Sequence, residues 1–344
     1  MTNMPIITSA AIITTDKCTA ACQECCFLCN PNNQNMLTLE QMKSFIDEIK
    51  DNIPTVGLIV FTGGEATLLG KKLFEVIKYA TINGLKTRIV TNGWWAKNKK
   101  SADRMVGSLV DAGLSEINFS TGDNHQEWID INTIINGCIA SMERRLLTVV
   151  SIEAFDGAIF SMSDFFNDDR VKKIYEGLEN KQDLQVIASP WVSINKLKNF
   201  THATVKTDSA IEGCDSVLSY IGMDEKGEVT ACCGITQKKI FEMNLSKLYP
   251  DLTIKEMIDK RATDLLKIWI WVDGPKFIYD TIINFDSSLK KNKALIHTCQ
   301  YCIEIYRNRK LQKSILKYLD ERNTLNILNR YYLKLYYQNK TKET

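Results

Sequence analysis

A surplus of either charge is missing from this chain of 344 residues, where Lys+Arg 43 stand against Asp+Glu 41 for a formal +2. That balance removes a global electrostatic case for nucleic acid or an acidic polymer as partner, so any basic patch must be local. Also missing is an apolar run approaching the roughly 20 residues that a membrane span needs, and no membrane partner is expected. The N-terminal residues show neither a cationic segment ahead of an apolar one nor a small-residue cleavage site, so a cytoplasmic, reducing location is expected. No strand-like segment leads into G-x-G-x-x-G or G-x-x-x-x-G-K-[ST], which argues against a doubly wound nucleotide-binding fold. Internal repeats and low-complexity tracts are absent. What the chain has in excess is cysteine, at 11. In a reducing compartment, clustered cysteines bind metal or do chemistry more often than they form disulfides.

The cysteines form two groups. Cys18, Cys22, Cys25, Cys26 and Cys29 lie in one short run; Cys214, Cys232, Cys233, Cys299 and Cys302 lie far downstream; Cys138 stands alone in an apolar segment and reads as a small buried hydrophobe. The first run has the spacing Cys18-x3-Cys22-x2-Cys25 and follows a β-branched stretch, Ile6 to Thr15, that reads as a strand. Three close thiols on one loop can hold three irons of a cubane and leave the fourth open, and an open iron is a place for a ligand. A zinc knuckle would need a second cysteine pair about 15–20 residues on, and none follows.

Beyond this loop the hydrophobic period alternates. Thr38 and Gln41 make a capping box ahead of Met42, Phe45, Ile46 and Ile49, which recur at helical spacing. Val56 to Phe61 is a strand ending in Thr62-Gly63-Gly64-Glu65, and Leu69 to Ala80 is helical. Lys86 to Thr91 ends in Asn92-Gly93, with a helix over Ala102 to Leu109. Glu116 to Ser120 ends in Thr121-Gly122-Asp123, with a helix over Ile129 to Met142. Arg145 to Ala154 and Leu184 to Ala188 read as strands around a weaker helical pattern, Phe165 to Leu178. This strand–helix alternation predicts an α/β fold, a parallel sheet closed or partly closed into a TIM-like barrel. Polar and glycine residues gather just after the strands, at the edge where parallel α/β folds place active sites, so these motifs should converge in space. The alternation stops past Pro190. Three regions are expected: residues 1–198 as the barrel, 199–302 holding the second cysteine group, and a helix-prone tail over 303–344. From Ile303 onward the tail carries ten Lys/Arg and four Asp/Glu, read as the solvated face of packed helices, with a dock for an acidic peptide as the alternative.

Together, the cysteine loop after the first strand and Gly63-Gly64-Glu65 after the second resemble the radical S-adenosylmethionine (SAM) superfamily. The resemblance covers roughly residues 6 to 200 as a partial (β/α)6 barrel. It implies that Cys18, Cys22 and Cys25 ligate a [4Fe-4S] cluster whose open iron chelates SAM, and that the reduced cluster cleaves SAM to a 5′-deoxyadenosyl radical. It further implies that Gly63, Gly64 and Glu65 meet the SAM amino group and that Ser120 and Asp123 lie near the ribose. Glu24 stands where the family often has an aromatic residue, and Phe27 is the candidate for the adenine-stacking face.

The second group, Cys214, Cys232-Cys233-Gly234 and Cys299-x2-Cys302, looks like the auxiliary-cluster region of peptide-modifying members of that superfamily. Five thiols exceed the four sites of a cubane, and adjacent cysteines rarely ligate one cluster together. The simplest allocation therefore gives Cys214, Cys232, Cys299 and Cys302 to a second [4Fe-4S] cluster and leaves Cys233 over; a structural four-cysteine zinc site is the alternative. The endings Cys25-Cys26-Phe27-Leu28-Cys29 and Cys232-Cys233-Gly234 resemble the epipeptide-type peptidyl epimerases. That likeness implies a ribosomally made precursor peptide as substrate, Cys233 as the thiol returning hydrogen to Cα, and an electron donor such as flavodoxin or ferredoxin. Cys26 and Cys29 are read as packing beside the first cluster. The alternative activity is a maturase that joins side chains by thioether or carbon–carbon bonds, and a non-catalytic redox sensor is the reading from another class.

Overall fold

The computed structural model describes residues 4–192, 194, 213–232, 238–248 and 253–340. The boundary expected near residue 198 and the Cys233-Gly234 pair lie outside the described residues.

Six strands alternate with helices through the first part of the chain. They are β1 (Ser9–Ile13), β2 (Leu58–Thr62), β3 (Lys86–Thr91), β4 (Glu116–Thr121), β5 (Leu147–Ala154) and β6 (Leu184–Pro190). The helices between them are α1 (Leu39–Asn52), α2 (Lys71–Ile82), α3 (Lys99–Asp111), the short α4 (Asp123–Gln126), α5 (Ile131–Glu143), α6 (Met162–Asn167) and α7 (Asp169–Glu176). The capping box read from the sequence starts α1: Thr38 Oγ1 accepts from Gln41 N at 3.2 Å and Gln41 Oε1 accepts from Thr38 N at 2.9 Å. Met42, Phe45, Ile46 and Ile49 then bury one stripe of that helix against the sheet. The weak pattern over Phe165 to Leu178 resolves into two helices. Asp168 separates them, leaving helical geometry and accepting from Arg170 N and Val171 N to cap α7.

The strands form one sheet in the order β6-β5-β4-β3-β2-β1, all parallel. The free edge of β1 is taken by β7 (Tyr220–Met223), parallel to it, and not by β6. The partial barrel expected from the sequence is therefore present, with six parallel strands and, among the described residues, helical connections from β1 through to β6. β8 (Glu228–Thr230) and β9 (Asn244–Lys247) add to β7 in antiparallel fashion.

The remainder is helical: α8 (Ile254–Arg261), α9 (Leu265–Phe285), α10 (Thr298–Arg307), α11 (Arg309–Tyr318) and α12 (Glu321–Lys340). Two hydrophobic cores result. One fills the space between sheet and helices up to α8; the other gathers α9 to α12 around Trp269, Trp271, Tyr279 and Ile305. Gly274, at φ 79, kinks α9 ahead of Pro275. Several cations of the tail are committed internally, since Arg330 pairs with Asp273 at 2.6 Å and Lys334 with Asp215 at 3.0 Å.

Arg261 joins the two bodies of packing. Its buried guanidinium donates to Tyr220 O at 2.6 Å and Leu218 O at 2.9 Å, fixing the chain that enters β7. Burial lowers its pKa to about 10, which leaves it charged at neutral pH. Arg261→Met, close in volume but unable to donate, should cost about 2–4 kcal/mol by removing both charge-assisted bonds to these carbonyl oxygens. Thermal unfolding measures it; a variant melting with the parent would show that these bonds add no stability.

Candidate active site

The cysteine loop leaves β1 and is closed at its base by polar contacts. Asp16 accepts from Asn35 N at 3.0 Å and from Asn35 Nδ2 at 2.6 Å, and Thr15 Oγ1 donates to Asn35 O at 2.7 Å. Within the loop, Glu24 (φ 60) and Leu28 (φ 56) hold left-handed backbone that non-glycine residues seldom adopt, so the turn around Cys25 is shaped at a conformational cost.

Gly63 and Gly64 pack directly under this loop. Gly64 N donates to Thr15 O at 2.7 Å and Glu65 N to Lys17 O at 2.9 Å. A Cβ at Gly64 would stand 2.0 Å from Lys17 O, and one at Gly63 would stand 2.5 Å from Thr15 O. The absent side chains admit the backbone of the cysteine loop itself, a use of the glycine pair that the sequence pattern did not disclose.

Cys18, Cys22 and Cys25 open onto one cavity of about 380 Å³, which Phe27, Gly63, Gly64 and Ser120 also line. Cys26 and Cys29 face it as well. A smaller cavity of about 190 Å³ shares Phe27, Thr62 and Val90 with it. It reaches inward past Ala11, Ile13 and Val60 to Tyr220, Gly222 and Thr230, whose buried hydroxyl has no hydrogen-bond partner. The thiols differ in acidity. Burial pushes Cys18 up to about 11 and raises Cys22 further, whereas the Cys29 thiol, hydrogen-bonded to Cys25, brings Cys25 down to about 6. At neutral pH Cys18 and Cys22 therefore favour the protonated form and Cys25 the thiolate, and a cationic cluster would favour the thiolate at all three.

Glu65 and Asp123 lie beside the cavity with their carboxylates turned to other partners. Glu65 is fully buried and accepts from Thr67 Oγ1 at 2.6 Å, Thr67 N at 3.2 Å, Thr91 Oγ1 at 2.8 Å and Asn92 N at 2.8 Å. Burial raises its pKa against the pull of these donors. Asp123 accepts from Ile159 N at 2.7 Å and Phe160 N at 2.9 Å, tying the turn after β4 to the loop after β5.

Asn92, read from the sequence only as part of a strand-end Asn-Gly turn, lines the cavity, and three further residues at the site, Glu153, His125 and Trp191, were not singled out. Asn92 Nδ2 donates to Thr19 Oγ1 at 3.0 Å and meets Cys18 Sγ at 3.5 Å. Glu153, at the end of β5, accepts from Asn124 Nδ2 at 2.7 Å and His125 N at 3.0 Å and makes a short contact with His125 Nδ1. That holds the imidazole at the cavity, edge-on to Trp191. The available signal for Glu153 was its place as the one charged residue in the strand Leu147–Ala154.

The second cysteine group also comes together. Cys299 and Cys302 share a face of α10, and Cys302 lies within the electrostatic reach of Cys232, Cys214 and Cys299. Cys214 N donates to Ile270 O at 2.9 Å, which seats that turn against α9. Among the described residues no three His, Cys, Asp or Glu side chains converge on a point suited to a single ion. A cubane does not require such convergence, because each thiolate binds its own iron.

Glu65→Ala removes the acceptor for four donors and should cost at least about 3 kcal/mol, since buried donors left unmet carry their desolvation penalty. Trp94 Nε1 and Trp95 Nε1 donate to Thr67 and Thr91 of the same network. The variant is therefore expected to shift tryptophan emission and lower the melting temperature together; unchanged emission would detach the tryptophans from the glutamate.

Residues 12–141 match the family described as Radical SAM superfamily. YydG of Bacillus subtilis (strain 168), named for peptide biosynthesis, is 25% identical over 120 residues, covering 35% of this chain and 37% of that protein. An S-adenosylmethionine-dependent nucleotide dehydratase of Selenomonas ruminantium is 37% identical over 86 residues, covering 25% of this chain and 30% of that protein. The match thus spans about a third of the length of these curated relatives. Among solved structures, native anSMEcpe with bound AdoMet superposes with a TM-score of 0.53 at 12% identity, over 94% of this chain and 99% of that one, a likeness of fold. No helix among the described residues is long and apolar enough to cross a membrane. The cysteine loop and the glycine pair both lie inside residues 12–141, the stretch of this chain that is similar to the radical SAM superfamily.

Proposed function

We propose that the chain is a radical SAM enzyme acting on a ribosomally made peptide, and that its reaction is L-to-D epimerisation. One observation carries the reading: Cys18, Cys22 and Cys25 share a cavity with Gly63, Gly64 and Ser120 at the C-terminal ends of parallel strands. That edge is where parallel α/β folds act on their ligands. In this reading the three thiols hold a [4Fe-4S] cluster, Gly63 and Gly64 offer backbone to SAM, Ser120 meets its ribose and Phe27 its adenine. Glu65 and Asp123 serve the same site by bracing the loops that form its walls. Once reduced, a cluster of this kind supplies the electron that divides SAM into methionine and a 5′-deoxyadenosyl radical.

The protein's own part is to exclude water and to place the peptide. Ile13, Val60 and Val90 line the inner cavity with apolar groups, which suits the exclusion of water. Cys233, outside the described residues, would return a hydrogen atom from its thiol to the opposite face of Cα. The sulfur radical left behind regains its hydrogen by taking one proton and one electron, the latter from a flavodoxin- or ferredoxin-type donor. Cys214, Cys232, Cys299 and Cys302 would hold a second [4Fe-4S] cluster, with residues 1–198 as the barrel, 199–302 as the auxiliary region and 303–344 as a helical tail. Support for a peptide substrate comes from the name of the YydG relative.

Anaerobically reconstituted protein is expected to bind about eight irons, and replacing Cys18, Cys22 and Cys25 together should remove about half of them and abolish 5′-deoxyadenosine formation from SAM under dithionite. Full iron content in the triple variant would refute the ligand assignment. With a precursor peptide in heavy water, epimerisation gives a gain of one deuterium and no other mass change, whereas loss of two hydrogens would establish cross-linking instead. Cys233→Ala should keep both clusters and SAM cleavage while losing D-residue product; full epimerisation by that variant would remove Cys233 from the mechanism.

A further inference from the structure

Among the described residues, the second core holds a polar group that its neighbours leave unmet. Four other aromatic tips there are paired: Trp269 Nε1 donates to Asp273 at 2.9 Å, Trp271 Nε1 to Ser219 Oγ at 3.1 Å, Tyr301 Oη to Leu295 O at 2.8 Å, and Tyr279 Oη accepts from Asn292 N at 2.7 Å. Lys267, buried nearby, is paired with Asp264 at 2.5 Å. Tyr306 differs. It is 6% exposed, and its hydroxyl is buried with no partner, a condition that native structures seldom leave without a reason.

Its position on α10 supplies the reason. Cys299, Cys302 and Tyr306 stand at i, i+3 and i+7 and so share one helix face. Helical side chains lean toward the N-terminus, which carries the Tyr306 ring back over the turn that holds the two cysteines. Its electrostatic surroundings agree: after burial, the Cys302 thiol is the strongest influence on its hydroxyl, and Cys232 acts in the same sense. A phenol can donate one hydrogen bond, and the inorganic sulfurs of an iron–sulfur cluster accept such bonds.

We propose that Tyr306 donates a hydrogen bond to a sulfur of the auxiliary cluster held by Cys214, Cys232, Cys299 and Cys302, and thereby raises that cluster's reduction potential. The inference rests on the two-cluster reading above. A donor aimed at the cluster favours its more negative, reduced state over the oxidised one. Removing one hydrogen bond to a charged group shifts such an equilibrium by about tenfold, and tenfold in a one-electron couple is about 59 mV.

The test is a redox titration, followed by electron paramagnetic resonance, of the full chain loaded with both clusters. The barrel cluster serves as internal reference. Tyr306→Phe should keep the parent's iron content, leave the barrel cluster unmoved and lower the second potential by about 59 mV. An unmoved second potential with all iron retained would overturn the donor role and leave the two-cluster reading standing. Parent protein that binds only about four irons would overturn that reading first, before any variant is made. If Tyr306→Phe sheds the second cluster, the parent grown with 3-fluorotyrosine decides: its stronger phenolic donor should raise the second potential, and an unshifted value would overturn the proposal.

Discussion

The candidate site depends on two strand ends meeting backbone to backbone. The segment Thr15 to Lys17 runs across Gly63 and Gly64 so closely that its carbonyl oxygens occupy the space where side chains would begin. Two backbone hydrogen bonds, at 2.7 and 2.9 Å, lock the contact. The cysteine loop is positioned by this seam together with the contacts of Asp16 to Asn35 and of Asn92 to Thr19. A methyl group at either glycine would lift the loop from the sheet edge and move all three thiols at once. The glycine pair is thus first a requirement of the fold and only through that a requirement of the chemistry.

Much of this was legible in the sequence because it is periodic or local. The capping box at Thr38 and Gln41, the apolar stripe of α1 and the six short apolar strands each follow from spacing over a few residues. The collection of polar residues after each strand also held, since a parallel sheet leaves its C-terminal ends on one edge. What could not be read depends on distances between segments remote in sequence. That the free edge of β1 receives β7 is set by pairing across some two hundred residues. That Glu65 and Asp123 point into neighbouring loops follows from where Asn92 and Phe160 lie in space, which no spacing rule encodes.

Two buried carboxylates behind the site wall share a design. Glu65 and Glu153 are each satisfied by hydroxyl, amide or imidazole groups, and no lysine or arginine takes part in the bonds described. Neutral donors stabilise a buried carboxylate by distributing its charge over several bonds, and each bond anchors a different stretch of chain. Glu65 gathers residues 67, 91 and 92; Glu153 gathers 124 and 125. Each carboxylate therefore acts as a node that orders loops from separate β/α units around one cavity.

That arrangement lines the cavity with sulfur, backbone and mostly neutral side chains, with Glu24 as the carboxylate among them. His125 is one of the polar lining groups, and Glu153 behind it fixes the orientation of its ring. The second core repeats the principle with fewer polar groups. Cys232, Cys302 and the half-buried Cys214 share this core with the Tyr306 phenol among tryptophan, tyrosine and isoleucine, so any charge brought there would be felt at low dielectric and would respond strongly to a single hydrogen bond. The two sites differ in this respect: the first spreads its polar control over loops from five strands, while the second concentrates it on one face of α10.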